Sequence, residues 1–297
     1  MASGTGLFAL YQGLVKPQHH QDQVDVRVYA VNTGQELVVS VDLNKRGQEY
    51  GDPRSYPVKV TFLAPGGTMT GQLLPVKDAQ TTLYFECPQT GSTRAVRTTL
   101  IDCANPFVLV DSRSLPAEYH LDGPSGKTAK EIIESIRCAA MVRMGLQTAA
   151  YRKAGRVRRG TPKIVLLTMP SAAVQVGSPN VPAKLVDVEV VAYSMGNPHP
   201  TLQLTGAICL GAALSVPGTV AWDLLISNHG YPSPSSEAGS DFLSLTPNST
   251  KRWCIQHPTG FIESKITTSH TADGKLFIES GSVFCSARKL FEGTVFY

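Results

Sequence analysis

The sequence predicts an α/β (α+β) fold of two pseudo-symmetric domains, each with a sheet or barrel wrapped around a central helix. Three observations carry that prediction. Two short apolar segments, residues 3–17 and 205–218, open on small residues and stop at proline or Pro-Gly. Each is followed by β-type runs that meet at a glycine-bearing turn, Asn32-Thr33-Gly34 in the first half and His257-Pro258-Thr259-Gly260 in the second. Between the halves the period changes: from Ser125 to Tyr151 the residues Ile132, Ile133, Ile136, Ala139, Ala140 and Met144 recur at helical spacing.

The elements follow in order. Leu7, Phe8, Leu10, Leu14 and Val15 make residues 3–15 a helix that is apolar nearly all round, hence expected to be buried, and Lys16-Pro17 ends it. Strands are expected in VDVRVYAV, QELVVSVDL, YPVKVTFL, TLYFEC, AVRTTLID and PFVLVD. The helix of 125–151 runs into the basic stretch YRKAGRVRRGTP, and Lys163 to Thr168 restores a strand. TGAICLGAALSVPG at 205–218 is the second central helix. A strand then meets HPTG, FIESKITTS returns, and SVFCSARKLFEGTVFY is strand-like again. The repeated order of helix, strand, turn and strand implies a duplicated unit. It divides the chain into residues 1–122, a connecting helix and basic linker at 123–162, and residues 163–297.

The composition excludes several classes. A hydrophobic fraction of 42% in 297 residues builds real cores, and a net charge of +4 with no charged tail does not imply nucleic acid. No run of eighteen apolar residues occurs and the first fifteen lack the features of a secretory signal, so a cytoplasmic chain without a membrane span is expected. Cys87, Cys103, Cys138, Cys209, Cys254 and Cys285 show no metal-ligand spacing and read as buried free thiols in a reducing compartment. GPSGKT at 123–128 has the wrong glycine spacing for a phosphate loop, with Leu at 121, and reads as an ordinary helix start. The basic stretch around 151–160 lacks aromatic interleaving and reads as a solvated loop.

Two helix starts suit a carboxylate. Ser3-Gly4-Thr5-Gly6 and Thr205-Gly206 combine hydroxyls, bare backbone and a positive helix end. The competing reading is capping and close packing. SMGNPHP, just ahead of the second helix, puts Ser194, the Gly196 amide, Asn197 and His199 at the rim of the same cleft. His199 is either a proton carrier, a charge partner for a carboxylate, or a loop histidine with a structural hydrogen bond.

Seven ordered segments, VRVYAVNTG, FLAPGGTMTGQLLP, LIDCANPFVLV, IESIRCAAMVRMGL, SMGNPHPTLQLTGAICLGAALSVPGTV, IQHPTGFIE and SARKLFEGTVFY, resemble the PrpF-type 2-methylaconitate and methylitaconate isomerases. The resemblance implies the diaminopimelate-epimerase fold and cofactor-free proton transfer on an unsaturated di- or tricarboxylic acid of the aconitate or itaconate kind. It also implies a homodimer as the family-level expectation, and no metal. Asn105, in DCANPF, matches the Asn that contacts substrate in the similar epimerase motif. In the family a cysteine in Cys-Gly-Asn precedes the first central helix and a lysine lies farther upstream. Met1 falls immediately after that Cys-Gly-Asn, so the chain is expected either to start at an internal methionine or to be a truncated paralogue. The absent strands are expected to leave the first helix uncovered, a surface prone to aggregation or partner binding.

The family's acid/base residues therefore have no match here, and the catalytic candidates are His199 and Cys209. Cys209 lies four residues into an apolar helix and reads as core, because the second cysteine of the epimerase relatives falls nearer Gln203. His257 is rim or turn. The expected carboxylate-binding set is Ser3, Gly4, Thr5, Asn105, Ser194, Gly196, His199, Thr205 and Gly206. A catalytically silent paralogue that binds polycarboxylates or a partner subunit is the alternative, and an amino-acid racemase or epimerase is a weaker third.

Overall fold

The computed structural model describes residues 2–31, 33–47, 54–147, 160–170, 175–176, 184–229, 249–290 and 293. The first half runs α1 (Ala2–Tyr11), β1 (Gln23–Ala30), β2 (Gln35–Asp42), β3 (Tyr56–Leu63), β4 (Thr81–Glu86), β5 (Thr93–Asp102), β6 (Pro106–Asp111), α2 (Ala117–Asp122) and α3 (Lys127–Arg143). The second runs β7 (Lys163–Thr168), β8 (Gln175–Val176), β9 (Lys184–Leu185), β10 (Val188–Ser194), β11 (Asn197–His199), α4 (Leu204–Ser215), α5 (Val220–His229), β12 (Ser249–His257), β13 (Gly260–His270) and β14 (Leu276–Ala287).

One long sheet holds the described strands in the order β1-β2-β3-β14-β13-β12-β10-β7-β6-β5-β4, with β11 beside β10, while β8 and β9 pair separately. It crosses from first-half to second-half strands twice, at the antiparallel β3–β14 pair and the parallel β6–β7 pair. Strand β6 is buried at every position because both its faces are covered. On one face Val108 and Val110 meet Ile132, Ile133 and Ile136 of α3; on the other Phe107 and Leu109 meet the core around α4.

Helix α4 is the centre of the molecule. Gly206 through Ser215 are all buried, against β5, β6, β12, β13 and β14. Glycine permits this closeness: a Cβ on Gly211 would lie 2.5 Å from Ser264 Oγ, and one on Gly281 would lie 2.7 Å from Ile208 Cγ2. The Pro217-Gly218 stop is followed at once by α5, set at 67° to α4. Buried Thr219 makes that bend, donating to the Ala213 carbonyl at 2.7 Å and accepting from the Trp222 amide at 3.1 Å. Sequence periodicity missed α5, α2 and β10, each short or lacking a free face. Among the described residues no single helix is long and apolar enough to cross a membrane.

Helix α1 corrects the expectation of burial on all sides. Gly6, Leu7 and Ala9 are buried against β1, β2, β3 and β14, but Phe8 is 59% exposed and Tyr11 47%, since strands cover one side only. The cysteines are also corrected in part. All six are free and Cys87, Cys103, Cys138 and Cys209 are buried, but Cys254 and Cys285 are partly exposed. The end of the helix expected over 125–151 and most of the basic stretch 151–162 lie outside the described residues.

The start of α3 shows why GPSGKT holds no phosphate. The Asp122 carboxylate accepts from the Ala129 amide at 3.1 Å, and a Cβ on Gly126 would meet that carboxylate at 1.9 Å. The helix N-terminus already has its anion. Asp122→Ala and Gly126→Ala are each expected to cost about 1 kcal/mol. The double variant should cost little more than either, because both remove one cap. Urea melts of the four proteins check this.

Candidate active site at the start of helix α4

The first turn of α4 rests on the start of β6. A Cβ on Gly206 would sit 2.8 Å from Leu202 and 3.2 Å from Phe107, so Gly206 is glycine for packing as well as for any ligand. Two residues before Phe107, Asn105 is partly exposed. It follows Ala104, which is held at φ 59 with its amide donating to the Pro65 carbonyl at 2.7 Å. A non-glycine residue in the left-handed region is maintained only by its surroundings, and such strain gathers at working sites.

Those surroundings are organised by Asp102. Its carboxylate is fully buried and accepts from the Thr68 hydroxyl at 2.8 Å, the Met69 and Thr70 amides at 2.7 Å each, and the Thr70 hydroxyl at 2.9 Å. Its backbone joins the same loop, donating to Leu73 and accepting from Gly67. Asp102 thereby fastens residues 65–73 beside Asn105.

Gln203 occupies the N-cap position of α4 without making a capping bond. Its carboxamide nitrogen and oxygen are both buried, and neither has a partner among the described residues. Leaving a buried polar atom unpaired costs about 1–3 kcal/mol, so such a group invites a functional explanation. The same holds for Gln256 Oε1 at the end of β12.

The two cysteines nearby are not bases. Cys103 and Cys209 are both fully buried. Burial pushes the Cys103 thiol far up, and the Asp102 charge adds to it. Burial does the same to Cys209, with Cys103 and Asp102 adding. A thiol held neutral in an apolar core is inert, so Cys209 is packing and is withdrawn as a catalytic candidate.

The histidines differ. His199 Nδ1 lies 2.7 Å from the Thr201 carbonyl and 3.2 Å from the Thr201 amide, so Thr201 anchors the ring at Nδ1 in either tautomer. The Thr259 hydroxyl donates to the Pro200 carbonyl at 2.9 Å, so the 3.3 Å contact between His257 Nδ1 and Thr259 Oγ1 has His257 as donor. Burial lowers the His257 pKa, and the His199 charge lowers it further.

The first turn of α4, with Thr205 and Gly206, thus packs on Phe107, two residues after Asn105, and His199 ends β11, five residues before α4 begins. Ser194 and Gly196 end the β10–β11 hairpin and line a small cavity with Ile133, Glu134 and Arg137, toward α3. Ser3, Gly4 and Thr5 form the first turn of α1, where the Thr5 hydroxyl bonds back to the Ala2 carbonyl at 2.6 Å. Gly4 lines a separate groove of about 510 Å³ between α1 and Ala287–Leu290. Sequence reasoning passed over Asp102, Gln203 as a ligand group, and Lys163. The last is half-buried at the start of β7 opposite Phe107, with no carboxylate partner among the described residues, and burial lowers its pKa. An aspartate next to a buried strand, in LIDCANPF, was the one visible hint.

The family described as PrpF protein matches residues 1–297. The chain is 28% identical to 2-methyl-aconitate isomerase of Shewanella oneidensis over 242 residues, 74% of this chain and 58% of that one. It is 24% identical to 3-methylitaconate isomerase of Eubacterium barkeri over 310 residues, all of this chain and 72% of that one. The crystal structure of methylitaconate-delta-isomerase superposes with a TM-score of 0.63 at 20% identity, covering 97% of this chain and 69% of the other, a likeness of fold.

Proposed function

This chain belongs to the PrpF family, and from that premise we propose that it is an isomerase of unsaturated polycarboxylic acids of the aconitate or itaconate kind. The observation that carries the reading is the unpartnered Gln203 carboxamide at the uncapped start of α4, a helix whose first turn packs on Phe107, two residues after Asn105. Helix-start amides, an asparagine and a buried carboxamide are the donors that one substrate carboxylate needs as it takes up enolate character. Thr205 and Gly206 supply backbone at that point and Asn105 a side chain; Asp102 keeps the facing loop in place. His199, anchored at Nδ1 by Thr201, is the proton acceptor in this reading. Removing a proton from the carbon beside the double bond gives a delocalised dienolate, and its return at the other end of the allyl system moves or rotates the double bond. The reading takes these steps as proton transfers without a cofactor, as the family resemblance implies.

Incubating the full chain in D₂O with aconitate, 2-methylaconitate and methylitaconate tests the reading. Deuterium entering at the allylic carbon, with a shifted or inverted double bond in the proton spectrum, is the expected result. Protein that exchanges none of the three acids would overturn it.

A further inference from the structure

We propose that His257, in the turn between β12 and β13, works with His199 as a second proton-transfer group in this site, the two imidazoles acting as one acid/base pair. The inference rests on the isomerase reading.

The pairing comes from the way two strands share one edge. Along the side of β10 away from β7, β12 takes the partners of Val188 and Glu189, and β11 takes those of Ala192 to Ser194. Gln256 lies opposite Glu189 and His199 opposite Ala192. His257, the last residue of β12, therefore meets the end of β11 where His199 stands. The turn is also tied to that point by the bond from Thr259 to Pro200, the residue after His199.

Both rings are anchored at Nδ1. His199 Nδ1 meets the Thr201 carbonyl at 2.7 Å and the Thr201 amide at 3.2 Å, and His257 Nδ1 meets the Thr259 hydroxyl at 3.3 Å. Each Nε2 is the nitrogen away from that anchor, and both rings are partly exposed, so substrate can reach them. A charge on one ring disfavours a charge on the other, so the pair takes up protons in two coupled steps. The other charged groups on the packed strands are Lys163 of β7, Glu189 of β10, Lys251 and Arg252 of β12, and Glu263, Lys265 and His270 of β13, with Glu263 held by Arg252 at 2.8 Å, while the positive end of α4 follows four residues after His199.

The pair suits an allylic isomerase. One neutral imidazole takes the proton from the carbon beside the double bond through Nε2, and the C–H electron pair passes into the conjugated carboxylate. The resulting imidazolium, or its partner after charging from solvent, returns a proton at the far carbon. Protons and charge balance over the cycle, and no oxidant or reductant is needed.

Two measurements on the full chain test this together. Carbon-13 and nitrogen-15 labelling of the histidines follows each ring through a pH titration, without any substrate. His257 is expected to titrate below the ordinary histidine value, and its midpoint should rise in His199→Gln. In the D₂O assay, His257→Gln is expected to lose kcat by about 100-fold with KM changed less than about threefold. Thr259→Val, which frees His257 Nδ1, should lose about tenfold and flatten the pH profile. A His257 midpoint unmoved by His199→Gln would overturn the pairing. Exchange by His257→Gln within twofold of an active parent chain would overturn the catalytic role alone. An inactive parent chain would overturn the isomerase reading and this role with it, whatever the titrations show.

Discussion

Replacing Asp102 by alanine is expected to lower the stability of the protein by about 3 kcal/mol or more. The carboxylate is 0% exposed and accepts four hydrogen bonds, all from Thr68, Met69 and Thr70. Alanine removes every acceptor at once and opens a cavity beneath the loop. Ala104 is held at φ 59, a conformation that a non-glycine residue keeps only in well-fastened surroundings. Asp102→Asn should cost less, about 2 kcal/mol, because one amide oxygen still accepts while its nitrogen faces donors. Urea unfolding of both variants, with limited proteolysis across residues 65–73, makes the comparison. An alanine variant within 1 kcal/mol of the parent would mean that the loop stands without its carboxylate.

Asp111→Ala is expected to be comparably severe, at about 2–4 kcal/mol. Asp111 ends β6 and is 3% exposed. It accepts from Arg97 Nη1 at 3.0 Å and from Arg113 at 2.9 and 2.8 Å, and Arg97 also binds the carboxylate of Asp223 on α5. The network joins β5, β6 and α5 at the end of β6 remote from Asn105. Burial by itself would raise the Asp111 carboxyl, but the Arg113 hydrogen bonds and the two arginine charges overcome it and hold the pKa below the ordinary value. A carboxyl depressed in the folded state stabilises the fold above the unfolded pKa of about 4 and loses that contribution as pH falls through the folded value. The parent chain should therefore lose stability on acidification below about pH 4, and Asp111→Ala should lose less over the same interval. Thermal melts from pH 6 to pH 2.5 give the two slopes; parallel slopes would remove Asp111 from the account.

Much of the fold was legible before any coordinates. YPVKVTFL and PFVLVD match β3 and β6 residue for residue, because β-branched runs bounded by turn residues leave little choice. The turn between β1 and β2 was equally plain: Asn32 lies outside the described residues, and Gly34 stands at φ 66, in the left-handed region that favours glycine. The start of α5 was less plain: Pro217-Gly218 reads as a stop, and only the buried Thr219 hydroxyl shows that a new helix begins there.

The site was legible in part. Thr205-Gly206 and Asn105 were visible as motifs, and His199 as a polar residue ahead of a helix. Their convergence was not, because Asn105 and Thr205 are brought together through Phe107 and Gly206, on different strands and helices. Asp102 carried only the hint of an aspartate beside a buried strand, and Gln203 carried none. One is a buried carboxylate whose donors lie more than thirty residues earlier, and the other is distinguished only by the bonds it does not make.

The sequence by itself determined the local elements and the family, since periodicity, turn chemistry and ordered motifs are properties of neighbouring residues. Tertiary structure alone decided which groups solvent can reach. In the sequence Cys209 is a catalytic candidate that reads as core, and His257 is rim or turn. The packed core takes the thiol out of water and suppresses its ionisation, whereas the edge of β10 leaves the imidazole half in solvent with one nitrogen fastened and the other open.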